Sequence, residues 1–132
     1  MKTVYERALI VGAGDGLSAS VARAFAGAGM RVALAARNVL KLAGLAPALN
    51  AAAIACDAYD RKQVARMFAE AENFFGAAPD VVVYNPSFRV RGPLVELDAE
   101  AVAKTLSITA YGGFLVAQEA AKRMLPNKYG AI

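Results

Sequence analysis

Short apolar runs alternate with amphipathic stretches along the whole chain, and this alternation limits the possible folds more than any other feature. Four runs are predicted strands, over residues 7–11, 31–36, 52–56 and 80–84. The segments between and after them have helical spacing, over 16–29, 38–49, 60–75 and 98 to about 124. Strands and helices that alternate with short connections form a parallel sheet with right-handed crossovers. We therefore predict a doubly wound α/β fold with helices on both faces.

The apolar positions within the predicted helices indicate which faces are buried. In the helix over 60–75 the inward residues are predicted to be Val64, Met67, Phe68 and Phe75, with Gly76 ending the helix. In the helix after Asp98 the predicted buried stripe is Val102, Leu106, Ala110, Ala117 and Ala121. Pro47 should end or kink the helix over 38–49.

The chain reaches residue 132 just as residues 130–132 begin what resembles a fifth strand. A sheet of four strands would leave an apolar edge and a helix face without partners. We therefore expect a single domain over residues 1–132 that is truncated after the fourth strand and its long helix. A missing C-terminal segment or a second copy in a homo-oligomer would complete it.

Composition excludes several classes of site. Cys56 is the only cysteine and there is no histidine, which argues against a disulfide framework and against cysteine or histidine metal sites. The net charge is +4, but the 15 basic residues are scattered rather than clustered as in nucleic-acid binders. No apolar run reaches the roughly 18 residues of a membrane span. We expect a cytoplasmic protein without metal, nucleic acid or membrane partners.

A cluster of glycines follows the first strand. Gly12, Gly14 and Gly16 lie within five positions and open the next helix. At such a strand-to-helix turn, glycines let the backbone come close to a phosphate, and the N–H groups of the helix face the anion. In this context the glycines predict a phosphate-binding turn rather than a simple connection.

The end of the second strand bears on which nucleotide is bound. Enzymes that prefer NAD commonly carry an acidic residue here, whereas this strand ends in Ala36 and Arg37. A guanidinium at this position can pair with a ribose 2′-phosphate. Asp15 in the glycine turn is a contrary sign if it lies near that phosphate. The pattern favours NADP over NAD.

Several motifs in this order resemble the short-chain dehydrogenase/reductase family. Residues 11–18 resemble its TGxxxGxG turn, with Val11 in place of threonine and Ser18 in place of the last glycine. Residues 35–37, 56–60 and 84–87 resemble its second-strand ending, its aspartate after the third strand and its NNAG motif. The resemblance implies a Rossmann-type fold and a set of cofactor-binding residues. These are Gly12, Gly14, Asp15, Gly16, Leu17, Ser18, Arg37, Asp57, Ala58, Asn85, Pro86 and Ser87.

The same resemblance implies the chemistry and marks two departures. The family transfers hydride between a nicotinamide and a carbonyl or alcohol carbon, with catalytic Ser, Tyr and Lys residues that lie beyond the fifth strand. No tyrosine within the 132 residues is followed by lysine four positions later. Thr109 falls at the position of the family's catalytic asparagine and is not an equivalent group.

Two other functions remain open at this point. A noncatalytic NAD(P)-binding module or sensor would also explain Thr109 and the altered residues 84–87. A methyltransferase that uses S-adenosylmethionine has a glycine turn after its first strand as well. Such a site usually needs an acidic residue after the second strand, and Ala36-Arg37 argues against it.

Overall fold

The computed structural model describes residues 4–132, which form a parallel four-stranded sheet in the order β3-β2-β1-β4. The strands are β1 (Arg7–Val11), β2 (Arg31–Ala36), β3 (Ala52–Ala55) and β4 (Val81–Tyr84). The central strand β1 pairs with β2 on one side and with β4 on the other. The predicted α/β fold and its strands are confirmed.

Five α-helices connect and cover these strands. They are α1 (Leu17–Gly27), α2 (Leu45–Ala48), α3 (Arg61–Phe75), α4 (Ala99–Leu106) and α5 (Gly112–Met124). Asp60 and Asp98 cap the first turns of α3 and α4 through their carboxylates. Gly76 ends α3 in the left-handed conformation, at φ 77°, as predicted.

The sheet is buried on both faces, which explains its nearly continuous apolar strands. On one face Leu9 and Val11 pack with Phe68 of α3 and Val116 of α5. On the other face a separate cluster joins the sheet to α1 and to the segment after β2. This cluster is built from Ile10, Ala13, Ala22, Val32, Leu34, Ala36, Leu42 and Ala46. The four predicted inward residues of α3 are all buried.

The predicted helix over 38–49 is wrong. A 3-10 turn over Val39–Leu42 is followed by the separate short helix α2. The Asn38 side chain accepts a hydrogen bond from the Leu40 N–H and starts the 3-10 turn. Proline fits an α-helix only in its first turn, so a helix that contains Pro47 cannot run unbroken from residue 38.

The predicted buried stripe of the last helix is also wrong. Leu106 is 61% exposed and Ala110 is exposed. The buried residues are instead Ile108, Gly112, Leu115, Val116, Ala120 and Met124. Between α4 and α5, residues 107–111 form a π-helical turn with i→i+5 hydrogen bonds, which inserts one residue and shifts the phase of the helical pattern.

The predicted fifth strand is present as a single parallel bridge beside β4. The Val82 N–H donates to the Ala131 carbonyl at 3.0 Å, and the Ala131 N–H donates to the Asp80 carbonyl at 2.9 Å.

The Asp80 carboxylate joins the beginnings of β1 and β4. It is 5% exposed and accepts hydrogen bonds from the Glu6 N–H at 2.9 Å and the Arg7 N–H at 3.1 Å. The Arg7 guanidinium adds an ion pair at 2.7 Å. This network lies at the amino ends of the strands, opposite the end where the phosphate-binding turn is predicted.

No helix within residues 4–132 is long and apolar enough to cross a bilayer. The same residues contain no group of three or more histidine, cysteine or acidic side chains that could hold a metal ion.

We expect Asp80→Ala to lower the free energy of unfolding by about 3–5 kcal/mol, because it leaves the Arg7 guanidinium without its buried partner. Urea denaturation followed by circular dichroism measures this loss. Glu70→Ala is the control, since the Glu70–Arg66 pair at 3.5 Å is largely exposed and is worth only about 0.5 kcal/mol. Equal losses in the two variants would contradict the role assigned to Asp80.

Candidate functional site

A cavity of about 510 Å³ lies at the carboxyl ends of the strands. We call it the strand-end cavity. It is lined by Val11, Gly12, Ala13, Ala36, Arg37, Asn38, Lys41, Cys56, Asp57, Ala58, Tyr59, Asn85, Pro86, Ser87, Phe88 and Ile108. β1 and β2 contribute their last residues, and the segments directly after β3 and β4 contribute the others, because the ends of parallel strands meet at one edge of the sheet. Ligands of open α/β sheets bind at this edge.

Gly12 makes the closest backbone approach in the cavity. Its φ is +82°, and a Cβ atom there would lie 2.5 Å from the backbone nitrogen of Pro86. The N–H groups of Gly12 and Ala13 both donate to the Ala35 carbonyl at 2.9 Å. Glycine at position 12 is therefore required by the contact between the turn after β1 and the loop after β4.

Ser18 and Asn85 connect the same two segments by side-chain hydrogen bonds. The Ser18 hydroxyl donates to the Gly12 carbonyl at 3.1 Å and accepts from the Asn85 amide nitrogen at 3.0 Å. Ser18 is buried and does not line the cavity. Both side chains thus form these hydrogen bonds with other residues of the protein.

The remaining residues of the glycine turn are not part of the lining of the strand-end cavity. Gly14 has no heavy atom within 4 Å of where its Cβ would be, so its surface is open. Asp15 is exposed, and Leu17 is 69% exposed. No side chain caps α1 at Gly16, which leaves N–H groups of the first turn available to an anion.

Two cations line the cavity on the β2 side. Arg37 follows the strand directly, and Lys41 lies in the 3-10 turn behind it. Both are exposed, and within residues 4–132 neither side chain forms a hydrogen bond or ion pair. Sequence reasoning identified Arg37 and missed Lys41, because a continuous helix was predicted where the 3-10 turn occurs.

Asp57 carries a buried carboxylate oxygen without a partner. Its Oδ1 atom makes no hydrogen bond to any described residue. The Asp57 N–H donates to the Gln63 side chain at 2.8 Å, which fixes the backbone. A buried acceptor without a donor is uncommon in folded proteins. Because Asp57 lines the cavity, a donor on a bound molecule can satisfy this oxygen.

Cys56, which lines the cavity, and Tyr84, at the end of β4, are both kept neutral. Burial raises the pKa of Tyr84 to about 12, with further contributions from Cys56 and Asp57. Burial also raises the pKa of the Cys56 thiol to about 11. At neutral pH Tyr84 is therefore a hydrogen-bond donor, and it donates to the Ile108 carbonyl. Cys56 is a buried thiol rather than a reactive thiolate.

Thr109 lies against the loop after β4 and does not line the cavity. Its hydroxyl oxygen is 3.4 Å from the Phe88 nitrogen and 3.3 Å from the Phe88 carbonyl oxygen. The Lys104 ammonium lies 4.7 Å from the centre of the Phe88 ring. Thr109 thus connects the π turn to a residue of the cavity wall.

The structure brings seven of the predicted cofactor-binding residues together in the cavity lining. They are Gly12, Arg37, Asp57, Ala58, Asn85, Pro86 and Ser87. Gly14, Asp15, Gly16, Leu17 and Ser18 surround the lining without forming it. Lys41, Phe88 and Ile108 line the cavity and were missed, since their positions depend on the 3-10 turn, the loop and the π turn. The cofactor-binding roles of all these residues stay predictions.

Comparisons with known proteins all match one family of oxidoreductases. The family described as enoyl-(acyl carrier protein) reductase matches residues 12–132. D-threitol dehydrogenase from Mycolicibacterium smegmatis is 32% identical over 130 residues, covering 95% of this chain and 50% of that protein. The chain spans about half the length of the curated relatives it matches.

Solved structures give the same result. A short-chain type dehydrogenase/reductase from Mycobacterium marinum superposes with a TM-score of 0.88 at 31% identity, over 96% of this chain and 53% of that one. A putative short-chain alcohol dehydrogenase from Sinorhizobium meliloti 1021 has a TM-score of 0.85 at 32% identity, over 92% and 50% of the two chains.

Gly12→Ala should lower the free energy of unfolding by at least about 1–3 kcal/mol, the usual cost of a strained backbone conformation. The contact with the Pro86 nitrogen adds to this cost. Gly14→Ala is the matched control, expected within about 0.5 kcal/mol of wild type because that Cβ meets nothing. Thermal and urea denaturation compare the two. A Gly12 variant as stable as the Gly14 variant would refute the packing of this turn.

Proposed function

The chain belongs to the short-chain dehydrogenase/reductase family, whose members bind NAD(P), and on that premise we propose that it supplies the cofactor-binding part of an NADP-dependent oxidoreductase. The proposed reaction transfers hydride between a nicotinamide and a carbonyl or alcohol carbon. The Ser, Tyr and Lys residues of that reaction would lie outside these 132 residues. The substrate is left open.

The observation that carries the proposal is a pair of cations on the β2 side of the cavity, Arg37 and Lys41, whose side chains have no partner among residues 4–132. A guanidinium binds two phosphate oxygens at once, and an ammonium adds a second positive charge. A ribose 2′-phosphate carries the matching charge, which supports NADP over NAD. Asp15, the contrary sign, is exposed and does not line the cavity.

The unpartnered oxygen of Asp57 fits the same ligand. An adenine amino group is a donor that could satisfy Asp57 Oδ1, and Ala58 would offer a backbone contact beside it. The glycine turn and the uncapped start of α1 would receive the pyrophosphate. Asn85, Pro86 and Ser87 would hold the ribose and nicotinamide side of the cofactor.

When bound, the nicotinamide would supply or accept the hydride. The contribution of this chain is to bind and orient. Arg37 and Lys41 would hold the phosphate, Asp57 would hold the adenine, and the close contact of Gly12 with Pro86 would fix the distance between the two halves of the cavity. Thr109 contacts Phe88 rather than the cavity, so the asparagine role is not assigned to it.

Arg37→Ala should raise the Kd for NADPH about 10- to 100-fold, because charge-assisted hydrogen bonds contribute about 1.5–3 kcal/mol. The Kd for NADH should change little. Calorimetric titration of the 132-residue chain measures both. Arg23→Ala is the matched control, since Arg23 is an exposed arginine on α1 outside the cavity lining.

The titrations test the preference for NADP and the proposed function separately. Equal affinity of the unmodified chain for NADPH and NADH would refute the preference for NADP. Binding of S-adenosylmethionine without binding of either nucleotide would refute the function.

We also propose that the chain self-associates and acts in the cytoplasm. Self-association is supported by exposed apolar side chains on the last helical segment, Leu106, Tyr111 and Phe114. The cytoplasmic location is supported by the single cysteine, Cys56, because secreted domains commonly carry paired cysteines.

Phe114→Glu should shift the protein toward monomer, because it places a charge beside Tyr111 on this apolar surface. Multi-angle light scattering of the variant and of wild type measures the change. Leu40→Glu is the control, since Leu40 is an exposed leucine elsewhere on the surface. A monomeric wild-type protein would overturn the proposal.

A further inference from the structure

The π turn over residues 107–111 changes which carbonyl groups are used within the last helical segment. The Gly112 N–H donates to the Ser107 carbonyl, five residues back. In an α-helix the same N–H would donate to the Ile108 carbonyl, four residues back. In the π register the Ile108 carbonyl therefore does not accept a hydrogen bond from the Gly112 N–H.

Tyr84 supplies the replacement donor. Its hydroxyl, at the end of β4, donates to the Ile108 carbonyl across 24 residues of sequence. Partial burial raises the pKa of Tyr84 to about 12, so the hydroxyl is neutral and a donor at any physiological pH. The end of β4 is thereby bonded to the carbonyl that would accept the Gly112 N–H in an α-helix.

Two glycines make room for the Tyr84 ring. A Cβ atom on Gly112 would contact the Tyr84 hydroxyl and would lie 3.0 Å from the Ala58 carbonyl oxygen. A Cβ atom on Gly113 would lie 3.4 Å from the Tyr84 ring. The consecutive glycines thus allow the helix backbone to reach both the tyrosine and the segment after β3.

The π turn in turn forms part of the cavity wall. Ile108 is 7% exposed and lines the cavity next to the segment that carries Asp57 and Ala58. Thr109, the next residue, contacts the backbone of Phe88, which lines the cavity from the other side. A change of register at 107–111 would move both contacts.

We propose that Tyr84 is a positioning residue that holds residues 107–111 in the π register and so sets Ile108 and Phe88 as walls of the strand-end cavity. The choice of NADPH as the ligand rests on the proposed function, whereas the contacts of Tyr84 do not depend on which ligand binds.

Without the hydroxyl, the buried Ile108 carbonyl needs another donor, since an unsatisfied buried acceptor is costly. The Gly112 N–H supplies one if the segment returns to the α register. That change removes the one-residue offset of the π turn and rotates α4 by about 100° relative to α5, which is one residue step of an α-helix. Ile108 then leaves the cavity wall, and Thr109 leaves Phe88.

Tyr84→Phe tests this, because it removes only the hydroxyl. We expect the amide NMR signals of Gly112 and of Phe88 to move, and the Kd for NADPH to rise about 10-fold through loss of the preformed wall. Tyr111→Phe is the matched control, since Tyr111 lies in the same turn but is half exposed and its hydroxyl bonds to no described residue. It should leave the signals and the Kd unchanged.

A second control separates positioning from general loss of stability. Val116→Ala shortens a fully buried side chain of α5. It should lower the thermal midpoint while leaving the Gly112 and Phe88 signals and the Kd as in wild type. If Val116→Ala raises the Kd as much as Tyr84→Phe does, the positioning role is overturned.

Wild-type protein provides a measurement that does not depend on any variant folding. A buried tyrosine hydroxyl bonded to a carbonyl exchanges slowly and gives a proton NMR signal with a nuclear Overhauser effect to residues 108 and 112. Absence of that signal, or unchanged Gly112 and Phe88 signals in Tyr84→Phe, would overturn the inference. Failure of wild type to bind NADPH would refute the proposed function alone, because the NMR signals report on the register without ligand.

Discussion

The hydrogen bonding of β1 along both of its edges is the constraint on which the rest of the structure depends. Leu9 is in register with Ala33 of β2 and with Val82 of β4, so three strands end at the same level. At the amino end the Asp80 carboxylate joins the beginnings of β1 and β4. At the carboxyl end the Gly12 N–H joins the turn after β1 to β2. These contacts at the two ends fix the register of the strands, and the fixed register brings the strand ends together around the cavity.

The polar side chains around the cavity fall into two groups. Ser18 and Asn85 use hydrogen bonds to connect the turn after β1 with the loop after β4. The side chains of Arg37 and Lys41 and the Asp57 Oδ1 atom have no such partners in the part of the chain that the structure describes. The first group builds the cavity before any ligand arrives, and the second group remains available to one. Such preorganisation lowers the entropic cost of binding.

Local patterns predicted the strands, the buried face of α3 and the end of α3 at Gly76, because each depends on residues close in sequence. The contacts that were missed depend on tertiary structure. The phase of the last helix changes at the π turn, where Tyr84 bonds to Ile108 across the fold. Lys41 reaches the cavity only because the segment after β2 forms a 3-10 turn. Helical periodicity contains no information about either.

The π turn also affects how this sequence is compared with its relatives. A π turn is the trace that a one-residue insertion leaves in a helix, and a relative with an unbroken α-helix has one residue fewer here. An alignment must then place a gap between Leu106 and Gly112. If the gap is placed before Thr109, this residue is paired with one position of the relative. If the gap is placed after Thr109, it is paired with the neighbouring position. Its equivalence to a catalytic asparagine is therefore a question of spatial superposition, which sequence alignment alone does not answer.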